Sequence, residues 1–294
     1  MGYNTLMSWQ LWVLLSGVLT GLGQMIGKSQ IHKISAIQMG LIRDLTGLFV
    51  AVGVWVYFGM PYGGYNMIFG MMNGAMVAVG VALYFMAVRT SFSGASVFGY
   101  LISQVMIVIS SAVIFSEWVY FDPSRMRGLG NIAVLVLTVI SMLLYMKSLK
   151  STNKWMGILI LSALINVTGN LVAKHFVSGE MSVWSYFLSE QIGLTTAGFI
   201  LLKLRGQDLR IDKKEMRVGI WQGLVAITGP IIYLNILSTE PLSLASLVRR
   251  IAAILVTSIS GLFWYREGKT LGVRGAWSLI IGFVAFVLVM WVNR

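Results

Sequence analysis

The chain has 294 residues, 57% hydrophobic and 11% charged, with a net charge of +12, where a soluble domain would carry about 25% charged residues. With a mean hydropathy of +0.82, this balance excludes an ordinary soluble domain and points to an integral membrane protein. The sequence contains no cysteine, which excludes disulfides, thiolate nucleophiles and cysteine-ligated metals.

A helix needs about 20 apolar residues to cross a hydrocarbon layer about 30 Å thick. Ten stretches meet that length approximately, in chain order: Trp9 to Gly27, Ile34 to Gly59, Met67 to Val88, Ser93 to Ser116, Gly128 to Met146, Trp155 to Ala173, Met181 to Leu202, Val218 to Leu237, Leu242 to Tyr265 and Gly275 to Asn293. None alternates in polarity as a membrane β-strand of about 10 residues would. The opening MGYNTLMS lacks the positive start of a removable signal peptide. The expected fold is an all-α integral membrane protein of ten transmembrane helices with short connections. Its longest polar connection, Lys203 to Arg217, reads as a solvated loop.

The cations sort by face. Connections 1/2, 3/4, 5/6, 7/8 and 9/10 collect Lys33, Arg89, Lys147, Lys150, Lys154, the Lys203 to Arg217 cluster, Arg266, Lys269 and Arg274. The other face holds little beyond Arg125, Arg127 and Arg294. The positive-inside rule makes the first face cytoplasmic and both termini extracytoplasmic. It also accounts for the positive charge without a nucleic-acid partner. His32 and His175 lie near segment ends at no metal-ligand spacing, and no metal or cofactor is expected.

The chain also repeats itself. With a shift of 146 residues, GQMIGK at Gly23 to Lys28 meets GNLVAK at Gly169 to Lys174, Asp44 meets Glu190, and Gly47 meets Gly193. With a shift of 150, ASVFGYLISQ from Ala95 meets ASLVRRIAAI from Ala245, and Glu117 meets Glu267. The division falls between residues 1–150 and 151–294. Five helices is an odd number, so the second half enters the membrane inverted. Inverted repeats mark secondary transporters, whose substrate site lies at the repeat interface near the midplane.

This order of landmarks resembles the EamA-type branch of the drug/metabolite transporter superfamily. The likeness rests on a lysine closing each half's first helix (Lys28, Lys174), Arg43 inside the second, and a glutamate ending the fourth (Glu117, Glu267). Two features depart from the pattern: Ser189 stands where the first half has Arg43, and a mid-helix proline is absent from both fourth helices. The resemblance implies transport of a small metabolite without naming it. The pair Arg249 and Arg250 is similar to the basic pair that contacts phosphate in the organic-phosphate branch.

The candidate site residues follow from the cost of polar groups in lipid. Arg249 lies seven residues after Leu242, about 10 Å into its helix, where an arginine facing lipid costs at least about 2.5 kcal/mol. Adjacent residues are about 100° apart on a helix, so the two arginines have different tasks. Arg250, opposite Tyr100 in the repeat, is assigned to the cavity; Arg249 is assigned to an inter-helix bond or a second substrate contact. Pairing of both with buried carbonyls or acids is the alternative. Asp44 and Glu190 lie at equal depth in equivalent helices, where low dielectric penalises a carboxylate without a cation. They are proton-coupling candidates, or members of a structural ion pair or network with Arg43, Arg249 or Arg250. Tyr84, Tyr233, Asn235, Gln104, Gln24 and Asn170 are further cavity candidates. Lys28 and Lys174 are interfacial residues with a substrate contact as the alternative, and Glu117 and Glu267 are structural. Helices 5 and 10, nearly free of polar residues, belong at the periphery and are the candidates for a homodimer contact.

The expected function is secondary transport, as exporter or exchanger, of a small organic metabolite bearing an anionic group. Two alternatives compete: proton-coupled efflux of cationic or amphipathic compounds through Asp44 or Glu190, and a non-transporting membrane scaffold. No nucleophile and base constellation suggests an enzyme.

Overall fold

Apolar runs become helices, and the polar or glycine-bearing joints between them end those helices. The computed structural model describes residues 6–30, 33–60, 64–89, 92–148, 155–208, 211–266 and 272–293. His32, Glu267, Lys150, Lys154, Arg210, Lys269 and Arg294 lie outside the described residues. Among the described residues the ten α-helices are α1 Leu6–Gln30, α2 Ala36–Tyr57, α3 Met67–Val88, α4 Phe92–Ile114, α5 Met126–Ser148, α6 Met156–His175, α7 Val183–Leu204, α8 Lys213–Leu237, α9 Leu242–Phe263 and α10 Gly272–Val292. No strand occurs among the described residues.

Nine of these helices are long and apolar enough to cross a membrane, which makes the chain a multi-pass helical membrane protein. The other is α7. Its 22 residues reach about 33 Å at the usual rise, but Ser185, Ser189, Glu190, Gln191, Thr195 and Thr196 dilute its apolar content. Packing against α2 and α3 shelters these residues except Thr196, which is exposed.

Local chemistry sets the boundaries. Ser35 and Gln38 form a reciprocal capping box that starts α2: the Ser35 hydroxyl accepts the Gln38 amide at 3.1 Å, and the Gln38 side chain accepts the Ser35 amide at 2.9 Å. Gly59 and Gly206 take left-handed conformations just past α2 and α7, with φ of 57° and 61°, the usual way to release a helix end. One expectation is corrected here. The stretch from Lys213 to Arg217 is helical, the opening turns of α8, because Lys, Glu, Met and Arg are good helix formers and Glu215 favours the positive N-terminal end.

The packing pairs are α1 with α8 and α9, α6 with α3 and α4, α2 with α7 and α8, α3 with α7, α4 with α9, and α5 with α10. The best-enclosed helix is α9, most of whose residues are buried, whereas α10 is largely exposed. The arginine-bearing helix is therefore central, while α5 and α10 pair at the edge. Those two are clasped by reciprocal bonds: each hydroxyl of Ser141 and Ser278 donates to the other residue's carbonyl at 2.7 Å.

The joint between α8 and α9 is held from both sides. Lys174, at the end of α6, donates to the carbonyls of Leu237 and Glu240 at 2.8 and 2.9 Å. Glu117, in the 3-10 turn Glu117–Phe121 after α4, accepts the amides of Leu242 and Ser243 at 2.7 and 2.8 Å. Helix termini leave such amides and carbonyls without intrahelical partners. Side chains from other elements satisfy them here, so α9 is fixed at its start.

Candidate functional site

Two adjoining chambers lie inside the bundle. The larger, of about 220 Å³, is lined from seven helices by residues that include Thr20, Gln24, Arg43, Asp44, Val77, Asn166, Asn170, Glu190, Gln191, Pro230, Tyr233 and Arg249. The smaller, of about 110 Å³, is lined by Gln24, Arg43, Tyr84, Ser96, Tyr100, Ser103, Ser162, Asn166 and Arg250 among others. Gln24, Arg43 and Asn166 border both.

The two arginines of α9 face different chambers, as their angular separation requires. The Arg249 guanidinium lies 4.2 Å from the ring centre of Tyr233, a cation–π contact, and its Nη2 donates to the Thr20 hydroxyl at 3.2 Å. Arg250 donates to the Tyr100 carbonyl at 3.5 Å and to the Asn166 side-chain oxygen at 3.4 Å. Those bonds are long against the usual 2.9 to 3.0 Å, so the guanidinium retains donor capacity. The ion pairs among the described residues are Arg43 with Asp44, Arg125 with Asp122 and His175 with Glu180. Neither guanidinium of α9 is directly paired with a carboxylate among them.

Charge is distributed unevenly between the chambers. In the larger, Arg43 binds Asp44, its neighbour on α2, donating from Nε at 2.7 Å. Glu190 accepts a weak bond, from the Asn73 amide at 3.3 Å, and forms no ion pair among the described residues. Asn73 also donates to the Tyr186 hydroxyl at 2.6 Å. The smaller chamber has Arg250 and Arg43 as its charged lining, and no carboxylate among the described residues borders it. Its polar wall is ordered by a chain of bonds: Gln24 donates to the Tyr100 hydroxyl at 2.6 Å, and Tyr84 donates to Gln24 at 3.0 Å and lies 2.6 Å from the Ser96 hydroxyl.

The structure therefore brings Arg43, Asp44, Tyr84, Tyr100, Glu190, Tyr233, Arg249, Arg250, Gln24 and Asn170 to the chambers. Four of the sequence candidates are elsewhere. Asn235 is exposed and donates to the Ile231 carbonyl of its own helix at 2.9 Å. It lies two residues from Tyr233, about 200° around α8, so the two cannot share a face. Gln104 is buried one turn beyond Tyr100, its side-chain nitrogen and oxygen have no hydrogen-bond partner among the described residues, and it borders neither chamber. Lys174 serves the α8–α9 joint instead, and Lys28 does the equivalent at the end of α3, donating to the Val88 carbonyl at 2.7 Å.

Residues not singled out in the sequence also contribute: Thr20, Asn166, Asn73, Gln191 and Pro230. Thr20 and Asn166 stand one repeat shift of 146 apart, a signal that the register of the repeat makes visible. Pro230 lies inside α8 at the chamber wall and lacks the amide that would bond the Ala226 carbonyl.

The fold and this interior define a class: a multi-pass α-helical membrane protein with a charged, polar cavity at its centre. No family model matches the chain, and no curated protein matches it. Its fold is similar to that of a solved structure described only as "Crystal structure of protein", with a TM-score of 0.63 and 14% identity over 94% of this chain and 96% of that one. At that identity the likeness concerns the fold alone.

Proposed function

We propose that the chain is a secondary transporter of a small organic metabolite bearing an anionic group, working by alternating access between two inverted five-helix halves, residues 1–150 and 151–294. The observation that carries this reading is the smaller chamber: a buried polar space bordered by Arg250, which pairs with no carboxylate among the described residues, while its other charged lining residue, Arg43, is paired with Asp44. Arginine suits a carboxylate or phosphate because its planar fork donates two parallel hydrogen bonds.

The two-half arrangement draws support from the packing. Exchanging α1–α5 for α6–α10 turns α1 with α8 into α6 with α3, α1 with α9 into α6 with α4, and α2 with α8 into α7 with α3; the pairs α2–α7, α4–α9 and α5–α10 map onto themselves. A twofold relation produces that pattern. The reciprocal Ser141 and Ser278 bonds agree with it, as do the matching lysines of α1 and α6 that bind carbonyls at the ends of α3 and α8. So do Ser116 and Arg266, the two non-glycine residues with positive φ among those described, 57° and 51°, which stand 150 residues apart. Halves of this kind supply two facing states by exchanging conformations, and the loop charges favour cytoplasmic placement of the α1–α2 face.

The test is uptake into proteoliposomes holding the purified chain, with radiolabelled inorganic phosphate, glucose 6-phosphate and glutamate as anionic probes and tetraphenylphosphonium as a cationic one. Saturable movement of at least one anion is expected. Loss of a charge-assisted contact of about 1.5–3 kcal/mol lowers its transport roughly 10- to 100-fold in Arg250→Ala. Movement of tetraphenylphosphonium alone, unaffected by Arg250→Ala, would overturn the reading in favour of cation efflux.

A further inference from the structure

Asp44 and Glu190 are one repeat shift apart, but the chain supplies one cation for the two acids: Arg43 precedes Asp44, and Ser189 precedes Glu190. Both acids and Arg43 line the larger chamber. Arg43 binds Asp44, whereas Glu190 is held by the 3.3 Å bond from Asn73. The groups acting on Glu190 by charge are Arg249, Asp44 and Arg43. Element by element, α2 presents Arg43 and Asp44, α8 presents Tyr233, α9 presents Arg249, and α7 itself presents Tyr186. The polar groups on its side from α1, α3 and α6, namely Thr20, Gln24, Asn73, Asn166 and Asn170, carry no charge.

The helices seat differently on the two acids. A methyl group added to Gly74 of α3 would lie 2.9 Å from the Glu190 carbonyl carbon, so α3 and α7 meet backbone to backbone at the acid. Gly223 of α8 is the equivalent position at a shift of 149, and a methyl there would lie 2.6 Å from Cβ of Thr46, two residues past Asp44. Equivalent elements thus occupy two different packings. Asn73 corresponds to Gln222 at the same shift, and the side-chain oxygen of buried Gln222 has no hydrogen-bond partner among the described residues. Exchange of the two packings would bring Gln222 toward Asp44 as Asn73 now meets Glu190.

We infer that Arg43 is a shared cation that alternates between Asp44 and Glu190 as the halves exchange conformations, and that the acid without it carries a proton. In the conformation described, Arg43 is on Asp44 and the proton is on Glu190. When α2 and α7 move, the guanidinium passes to Glu190, whose carboxyl proton leaves to water in the chamber, and Asp44 takes one up. This deepens the transporter reading and rests on it for its physiological meaning.

The experiment is a pH titration of the protonated-carboxyl infrared band of the purified full chain in detergent, with no substrate present. A band that titrates in the unsubstituted chain and is missing from Glu190→Gln is expected. The Arg43→Gln substitution is then compared in two backgrounds. In the Asp44→Asn background Arg43 is free for Glu190, and its removal raises the band's midpoint by at least about one pH unit, as loss of a direct opposite charge does. With Asp44 present, removal has a different and smaller effect on the same band. Equal effects of Arg43→Gln in the two backgrounds would show a fixed Arg43 and overturn the inference, as would a band untouched by Glu190→Gln. Failure of every transport probe with the titration as expected would sink the transporter reading and leave the shared cation standing.

Discussion

Removal of the Glu117 carboxylate tests the physical account of how α9 is positioned. Glu117 is 5% exposed and receives the first two amides of α9, from Leu242 and Ser243, at 2.7 and 2.8 Å. No side chain at the N-cap position performs this task, because that residue is Pro241. Ser116, in a left-handed conformation with φ of 57°, turns the chain so that Glu117 can reach across. A side-chain cap is worth about 0.5–2 kcal/mol, and hydrogen bonds to a charged group about 1.5–3 kcal/mol. Replacing the carboxylate by a methyl leaves two buried amides unsatisfied, and the combined cost is about 3 kcal/mol. At about 2–4 °C per kcal/mol for proteins of 150–250 residues, Glu117→Ala should lower the melting temperature by roughly 6–12 °C, followed by tryptophan fluorescence in detergent. Glu117→Gln recovers less than half, since one amide then faces the glutamine NH2 instead of an acceptor. A loss under about 1 °C for Glu117→Ala, within the scale set by that conversion, would refute the assignment of the α9 anchor to this residue.

Two further outcomes follow from other contacts. Ser141→Ala and Ser278→Ala each remove one of two matched bonds, and bonds between membrane helices average about 0.6 and reach about 1.7 kcal/mol. Equal single losses in that range and a double loss near their sum are expected from chemical or thermal unfolding; strongly unequal singles would contradict the clasp. Glu240, in the connection after α8, has its carboxyl held above the usual range by burial, which Lys174 and Arg127 only partly offset. An acid with a raised folded value contributes stability below its unfolded value of about 4.3 and loses it as pH rises through the folded value. Glu240→Gln should therefore melt above the unsubstituted chain at neutral pH and approach it near pH ~4, and a gap independent of pH would contradict the burial.

What the sequence disclosed follows the range of the forces involved. Apolar length is local, so α3 is Met67–Val88 by sequence and by structure, and other spans agree within a few residues. The start of α8 departs from the sequence reading because Lys213 to Arg217 is polar without being irregular. Polarity marks solvent, not the end of a helix. Arg43, Asp44, Glu190 and the α9 arginines are legible because lipid penalises charge at that depth. The tasks of Lys28, Lys174 and Glu117 are not. Their partners are backbone groups 60, 63 and 125 residues away, and a carbonyl or amide looks the same in every residue. Gln104 shows the converse: a buried polar side chain is conspicuous in sequence, but its distance from the chambers depends on how α4 meets its neighbours.

The pair that first marks α9 gains a sharper meaning from its partners. Arg249 reaches Thr20 on α1, and Arg250 reaches Asn166 on α6, positions equivalent under the shift of 146. Two adjacent residues of one helix thus touch the same rung of both proposed halves. The first half has Gly99 and Tyr100 at the corresponding place, so both cations come from one half. If the halves rock, the guanidinium groups travel with α9, and Thr20 and Asn166 move relative to one another across them. In the transporter reading proposed above, the guanidinium groups of α9 hold the anion while the polar rungs of α1 and α6 change around them.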